Sequence, residues 1–205
     1  MDLTAALMPP GCAASEDARR TRILEGAIKV FLAYGYQRTT MDDIARAAEM
    51  SRPALYLQFR NKADIYRAIA AVLLERSAEA AVAALSGDGD LASRLLGAID
   101  DCMFAMMEAL AGSPHAADIL DMKSKLAGDI VTAWKERLAT MMAVAIEAEA
   151  GRRGTDLAAS DLSATMLACM LLDGLEGIKM RTADPVEQRR MARGLVRVVT
   201  LAVQP

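Results

Sequence analysis

The sequence predicts an all-α protein in which a small N-terminal three-helix domain precedes a larger helical domain. Of the 205 residues, 54% are apolar but only 4% are aromatic, and 14 are methionine. Such a composition is rich in good helix formers. Apolar residues recur at helical spacing along the chain, and no segment shows the alternation of a strand. Clusters of Gly, Pro, Ser and Asp separate these periodic stretches, as expected of turns between helices.

The chain begins with a segment that we expect to be a flexible tail, residues 1–14. It has no basic residue before its short apolar stretch, which argues against a signal peptide. A first helix is predicted from Ser15 to Tyr34, and Gly35 is a natural left-handed stop. Its expected inner stripe is Ile23, Ala27, Val30, Phe31 and Tyr34.

Two short helices joined by a tight turn are predicted between residues 39 and 62. Thr40 and Asp43 have the spacing of a capping box, which predicts that a helix starts there. The second helix starts either at a Ser51 cap or at an Arg52 cap that precedes Pro53. It ends at Leu57 or Gln58. A helix, a three- to four-residue turn and a second helix form a helix-turn-helix, which lays its second helix in the DNA major groove.

The rest of the chain is predicted to be helical. A long helix follows at 62–85, the run 86–90 breaks it, and further helices are expected at 91–110, 129–150 and 160–181 and from Asp184 onward. Ser113-Pro114 is a good helix start, and Gly128 weakens the middle of the stretch that follows it. We expect the last two helices to bury the stripes Leu167, Leu171, Gly174 and Ile178, and Met191, Leu195, Val198 and Ala202, respectively. The predicted domains are therefore 15–62 and 63–205.

Residues 20–69 resemble the TetR family of bacterial transcription regulators. The resemblance rests on Tyr34-Gly35-Tyr36, on the segment from Thr39 to Ala45, and on Leu55-Tyr56-Leu57-Gln58-Phe59 with Asn61-Lys62, which matches the family signature L-Y-x-x-F-x-x-K. The sequence departs from the family at Glu49, where glycine is usual, and at Leu57 and Gln58, where histidine and tyrosine are common. Glu49 predicts a slightly different turn.

The predicted DNA-binding residues lie in and around the second motif helix. They are Thr40, Ser51, Arg52, Pro53, Ala54, Tyr56, Leu57 and Lys62. Arg52 can reach guanine or a phosphate, and Ala54 can meet a thymine methyl. The resemblance implies phosphate contacts for Thr40, Tyr56 and Lys62. The alternative is that Tyr56 packs in the small core and that the other side chains are merely solvated.

Charge is compatible with this interpretation. The chain has a net charge of −3, but residues 15–67 hold 10 Lys and Arg against 7 Asp and Glu, a local excess of +3. This modest basic bias suits phosphate contact without proving it.

The resemblance also implies a homodimer whose last two helices form a four-helix bundle with those of its partner, with Gly174 and Gly177 allowing close approach. Such a dimer would bind a palindromic operator, from which a largely apolar small molecule would release it. Candidate ligand-binding residues are Met103, Met107, Trp134, Met141, Met170 and Asp173. Each methionine can equally be a core residue. Asp173 and Glu176 can hold a cationic ligand, pair with an arginine of the last helix across a subunit interface, or face water.

Other function classes lack the residues they need. With a single histidine, His115, and three scattered cysteines, the sequence predicts no metal site, no cofactor and no catalytic constellation, and so no enzyme. No apolar run is long enough for a membrane span, and three cysteines without metal spacing fit a reducing cytoplasm. A redox role for Cys102 or Cys169 stays open. The alternative function is a helical small-molecule-binding protein or enzyme that does not bind DNA.

Overall fold

The computed structural model describes residues 15–204, apart from the side chains of residues 15, 16, 123 and 124. The predicted tail, 1–14, lies outside this range. Within it the chain forms nine α-helices and no strand, which confirms the all-α prediction. The helices are α1 (Ser15–Tyr34), α2 (Met41–Ala47), α3 (Arg52–Gln58), α4 (Lys62–Ser86), α5 (Leu91–Ile99), α6 (Ala105–Ala111), α7 (Ala116–Arg153), α8 (Ala164–Arg181) and α9 (Pro185–Ala202).

The described chain divides into two compact units. The first unit contains the residues up to Arg76 together with Ala105–Thr132, and the second contains Ser77–Phe104 together with the residues from Ala133 onward. Helices α4 and α7 each run from one unit into the other. The sequence predicts a division by function at residue 62, between DNA binding and ligand binding, and this division stays a prediction.

The first unit packs the two motif helices against α1. Phe31, Ile44 and Leu55 come from α1, α2 and α3, and none of them is exposed to solvent. A Cβ atom at Gly26 would lie only 2.8 Å from the backbone nitrogen of Ala48, so the missing side chain lets α1 approach the end of α2 closely. Tyr34, expected in the α1 stripe, is instead 61% exposed.

The second unit has its own core, to which α5, α7, α8 and α9 contribute. Its fully buried side chains include Leu95, Leu138 and Met142, and Leu171 and Val196 are 1% exposed. The predicted α8 stripe packs in this core, whereas the predicted α9 stripe lies at its edge. Helix α9 buries Ala192, Val196 and Val199. Met191, Leu195 and Ala202 of the predicted stripe are partly buried against the same core, and Val198 is 61% exposed.

Several helix boundaries differ from the prediction. The helix expected at 91–110 is interrupted by a π-helical turn, Asp100–Phe104. Helix α7, by contrast, agrees with the prediction: it begins at Ala116, and its backbone is non-helical at Ala127, where it kinks next to the predicted weak point at Gly128. Helix α8 starts only at Ala164, because Ser163 caps it and a 3₁₀ turn, Leu157–Ser160, precedes it.

Candidate functional site

The first motif helix, α2, is fixed at its start by the predicted capping box. The Thr40 hydroxyl accepts a hydrogen bond from the Asp43 backbone N–H at 3.2 Å, and the Asp43 carboxylate accepts one from the Thr40 backbone N–H at 2.9 Å. The Thr40 hydroxyl also donates to that carboxylate at 2.6 Å, and this bond is the main reason that the pKa of Asp43 is lowered. The box satisfies two of the free backbone N–H groups at the helix end and sets its direction.

The turn after α2 is made by Glu49, which takes a left-handed conformation with φ +53°. Its N–H donates to the carbonyl of Arg46 at 3.2 Å, and the N–H of Met50 donates to the carbonyl of Ala45 at 3.0 Å. These two bonds form a Schellman motif, which normally uses glycine at this position. The turn is therefore left-handed although it contains no glycine, and Glu49 adopts this conformation at a steric cost.

The second motif helix, α3, begins at Arg52. Its cap is Ser51, whose hydroxyl accepts from the Ala54 N–H at 3.3 Å, and Pro53 lies in the first turn. Of the two alternatives that the sequence leaves open, the structure therefore has the Ser51 cap.

Helix α3 has one face in the core and one in solvent. Leu55 is fully buried and Phe59, just after the helix, is 5% exposed, whereas Tyr56 is 42% and Leu57 is 85% exposed. Successive residues of a helix point about 100° apart, so Leu57 lies almost opposite Leu55 and projects away from the core. Tyr56 does not pack in the core. Arg52, Pro53 and Leu57 share the solvent side with it.

Arg52 is already engaged by its neighbours. Its guanidinium lies 5.5 Å from the centre of the Tyr56 ring, and its Nη1 is 3.1 Å from the Asp42 carboxylate. Hydrogen bonding to Tyr56 and, next, attraction to Asp42 raise the pKa of Arg52. Both partners of the ion pair are more than half exposed, so the pair contributes little stability and can open when a competing anion arrives.

Lys62 holds the loop between α1 and α2. Its Nζ donates to the carbonyl oxygens of Tyr36, Gln37 and Thr39 at 2.8, 3.1 and 3.0 Å, and it lies 4.5 Å from the centre of the Tyr36 ring. Partial burial lowers the pKa of this amine, an effect that the charge of Asp118 opposes. All three ammonium donors are used in these bonds. Contact between Lys62 and a phosphate stays a prediction, and the structure gives this residue a role in positioning the loop.

The same loop and the end of α1 are also held by the first turn of α7 and by the segment that precedes it. Asp118 accepts a hydrogen bond from the Tyr36 backbone N–H at 2.8 Å, and the Ser113 hydroxyl donates to the Leu32 carbonyl at 2.7 Å. A side chain at Gly35 would lie 3.2 Å from the ring of His115. Sequence reasoning missed these contacts because they join positions about eighty residues apart, beyond the reach of helical spacing.

The second unit contains a cavity of about 190 Å³. Met103, Trp134 and Asp173 line it, and these are three of the six residues proposed for ligand binding. Met107, Met141 and Met170 do not line it, and their role stays a prediction. Met103 comes from the π-helical turn, and Trp134 and Asp173 come from α7 and α8.

Four charged residues line the cavity: Lys135, Glu136, Asp173 and Glu176. Lys135 pairs with Glu176 at 3.2 Å, and Lys179 approaches the same carboxylate at 3.9 Å. Glu176 is thus paired with two lysines of its own chain, and pairing with an arginine of the last helix across a subunit interface stays a prediction. Within the described part of the chain, Glu136 and Asp173 have no cationic partner, which leaves excess negative charge around the cavity.

Residues 15–204 contain no group of three or more His, Cys, Asp or Glu side chains that is arranged to hold a metal ion. No helix in the described range is both long enough and apolar enough to cross a membrane.

Comparisons with known proteins agree with the geometry of the motif. Residues 23–69 match the model of the family described as "Bacterial regulatory proteins, tetR family". The HTH-type transcriptional repressor Rv1474c of Mycobacterium tuberculosis is 31% identical over 183 residues, which cover 87% of this chain and 91% of the relative.

Solved structures share the fold at lower identity. A TetR transcription regulator from Haloarcula marismortui superposes with a TM-score of 0.70 at 21% identity, covering 90% of this chain and 97% of the other. The TetR-family repressor FadR of Thermus thermophilus, in complex with lauroyl-CoA, has a TM-score of 0.58 at 20% identity, covering 88% and 93%. At this level of sequence identity, both similarities support a shared fold and nothing more specific.

Proposed function

This chain belongs to the TetR family of bacterial DNA-binding transcription regulators, and we propose that it is a repressor that binds a palindromic operator as a homodimer. In this proposal α3 enters the major groove, and Thr40 and Ser51 place the N-terminal ends of α2 and α3 near the phosphates. Arg52, Pro53, Ala54, Tyr56 and Leu57 face the DNA.

The observation that carries this proposal is the division of α3 into a buried and an exposed face. Leu55 anchors the helix, while Arg52, Tyr56 and Leu57 remain in solvent although two of them have large apolar surfaces. A surface that combines a guanidinium, a phenol and an aliphatic group can contact phosphate, base edges and thymine methyls together.

A homodimer is supported by the apolar side chains that α8 and α9 leave exposed. On α8 they are Met166, Met170 and Met180, and on α9 they are Val186, Val198 and Leu201. No atom would lie within 4 Å of a Cβ at Gly177, so this glycine leaves room for a partner, whereas a Cβ at Gly174 would meet Leu195 of the same chain at 2.7 Å. A two-fold dimer would carry its α3 helices about 34–36 Å apart to meet successive major grooves.

Release by a small molecule is supported by the cavity in the second unit. A ligand there would relieve repression if it bound better to a conformation that cannot engage DNA. Helix α4 runs from the unit that contains α3 into the unit that contains the cavity, and a shift of α4 would be the coupling step. The coupling free energy expected of such a system is about 1–3 kcal/mol.

The DNA site is tested with the variants Arg52→Ala and Tyr56→Phe. The probe is a duplex selected from a random library by the wild-type protein, and affinity is measured by fluorescence anisotropy over a range of salt concentrations. We expect Arg52→Ala to cost about 1–3 kcal/mol and Tyr56→Phe about 0.5–1.5 kcal/mol, the value of one hydrogen bond.

The matched control is Lys125→Ala. Lys125 is 61% exposed and pairs with Asp121 at 2.6 Å, much as Arg52 is 59% exposed and pairs with Asp42. This control should bind as wild type does. Unchanged affinity in both α3 variants, or no loss of wild-type affinity with rising salt, would remove the assignment of the DNA site.

A further inference from the structure

The cavity of the second unit has an apolar interior of sufficient size for a small ligand. Met103, only 6% exposed, lines it together with Trp134 and Leu172. Its volume of about 190 Å³ exceeds the ~150 Å³ of an engineered apolar cavity that holds benzene. A compact ring or branched alkyl group fits this space.

The charged residues around the cavity select among ligands. Lys135 is directed to Glu176, which Lys179 also approaches at 3.9 Å, so these three groups together leave one positive charge. The two other carboxylates of the lining outweigh it. Glu136 on α7 and Asp173 on α8 then add two carboxylates from two different helices, and both side chains are solvent-exposed. An anionic ligand would be repelled by this arrangement, and a neutral one would gain nothing from it.

Trp134 also favours a positively charged ligand. Among aromatic side chains, the face of an indole ring attracts alkylammonium groups most strongly, and the effect is largest where water is excluded. In this cavity the half-buried Trp134 adjoins both the apolar interior and the carboxylates.

We propose that this cavity binds organic ammonium cations with a compact apolar or aromatic body. As an account of the effector, the proposal rests on the proposed function. The proposal disfavours an acyl-CoA as the effector, because the negative charge of its phosphate groups would add to that of Glu136 and Asp173.

The direct test uses Trp134, which is the single tryptophan of the chain. Its fluorescence is titrated in the full-length protein, without DNA, using benzyltrimethylammonium, its neutral carbon isostere neopentylbenzene, and the anion 3-phenylpropionate. We expect the cation to change the emission at millimolar concentration or below, and to bind at least about fivefold more tightly than either comparison compound, as one good charged contact gives.

Two isosteric variants locate the charge. Asp173→Asn and Glu136→Gln should each weaken binding of the cation by about two- to fivefold and leave binding of neopentylbenzene unchanged. The matched control is Glu147→Gln, an exposed glutamate of α7 that does not line the cavity. Because Asp173 lies on α8 between Met170 and Gly177, within the proposed dimer surface, the mass of Asp173→Asn in solution is measured as well and should equal that of wild type.

Cys169 gives a second, independent readout, since it lines the cavity and is exposed. Benzyltrimethylammonium should slow alkylation of the peptide that contains Cys169. The proposal is overturned if the cation neither changes the emission nor protects Cys169, or if the neutral or anionic compound binds as tightly. A protein that binds the cation but does not leave its operator would instead contradict the proposed mechanism of release, and one that binds no DNA would contradict the proposed function.

Discussion

At the scale of single residues, Leu57 is the most informative side chain of α3. It is 85% exposed, although burial of a leucine side chain is worth about 1.5–3 kcal/mol. The one apolar group that base edges offer in the major groove is the methyl group of thymine. We therefore expect Leu57 to contact a thymine methyl and to make an A·T pair favourable at one position of each half-site.

Replacing thymine by uracil removes this methyl and nothing else. In a duplex selected by the protein, we expect one such replacement in each half-site to weaken binding about 15-fold, which corresponds to about 0.8 kcal/mol for each of the two buried methyls. The measurement is an anisotropy titration for each substituted position. With Leu57→Ala the penalty should disappear at that position and persist elsewhere. Equal affinities for thymine and uracil duplexes throughout would contradict the assignment.

Cys102 and Cys169 have opposite environments, which bears on their possible redox role. Cys102 is buried, and its Sγ donates to the Ser77 carbonyl at 3.1 Å. Burial raises the pKa of this thiol to about 11, so it is neither ionised nor accessible near neutral pH. We expect iodoacetamide at pH 8 to label Cys169 and to spare Cys102 in the folded protein.

The pH dependence of unfolding tests the same assignment. The pKa of the Cys102 thiol is ordinarily 9.0 and is raised to about 11 in the folded protein, so between these pH values the thiol loses its proton only in the unfolded state. Its contribution to stability is therefore complete below this pH range and decreases as pH rises through it. The midpoint temperature of thermal unfolding should therefore fall more steeply with pH over this range in wild type than in Cys102→Ala. Burial also raises the pKa values of Tyr36 and Tyr66, but both tyrosines are present in each protein. Parallel curves for the two proteins would refute the raised pKa.

Residue roles that depend on near neighbours could be predicted from the sequence. Thr40 and Ser51 are caps because their partners lie three residues away. The bonds of Lys62 to carbonyls 23 to 26 residues earlier, and of Asp118 to Tyr36, depend on how the helices pack. Nothing in the local sequence specifies them.

At the scale of elements, the turn between α2 and α3 carries a residue that is not ideal for it. Glu49 at φ +53° bears a steric cost of about 1–2 kcal/mol that glycine would not have. Glycine would cost about 0.5–1 kcal/mol in chain entropy. We expect Glu49→Gly to stabilise the protein by about 0.5–1 kcal/mol, seen as a higher midpoint of thermal unfolding.

The control for this change is Glu49→Ala, which removes the same carboxylate but keeps the Cβ atom. It should not be more stable than wild type, and operator affinity should change little in either variant. If the glycine variant melted below the alanine variant, left-handed strain at this turn could not be the reason.

Helix α9 shows what helical periodicity leaves undecided. Its predicted stripe, which contains Val198, and its buried stripe, which contains Val199, are adjacent on the helix and both are apolar. A helix with two apolar faces does not indicate which of them packs inside its own chain. The structure buries the face that carries the smaller side chains and leaves Val198 in solvent.

At the scale of the whole molecule, the two units differ in how much the sequence reveals. The motif of the first unit is encoded by caps, a proline and a short signature within about thirty residues, so its location could be predicted. The cavity of the second unit depends on a π-helical turn and on two helices distant in sequence. Composition therefore identified Met103 and Trp134, but it could not separate them from Met107 and Met141.

The exposed residues of α8 and α9 have the spacing of a helix–helix interface. On α8, Met166, Met170, Gly177 and Met180 follow a spacing of four, seven and three residues, and Gly194, Val198 and Leu201 follow four and three on α9. This is the repeat by which helices of a left-handed bundle contact one another. Within the second unit these side chains lie exposed, and a second copy of the chain would bury them.

We therefore expect Val198→Glu to convert a dimer to a monomer, because each interface would have to bury two carboxylates. Sedimentation equilibrium should give a mass near the 21.9 kDa of one chain instead of twice that value. Val144→Glu is the matched control, since Val144 on α7 is 66% exposed against 61% for Val198, and it should remain dimeric. The monomeric variant should retain its helical content but lose high-affinity binding to a two-half-site duplex, because each copy would contact one half-site alone. A Val198→Glu protein that stays dimeric would rule out α9 as part of the interface.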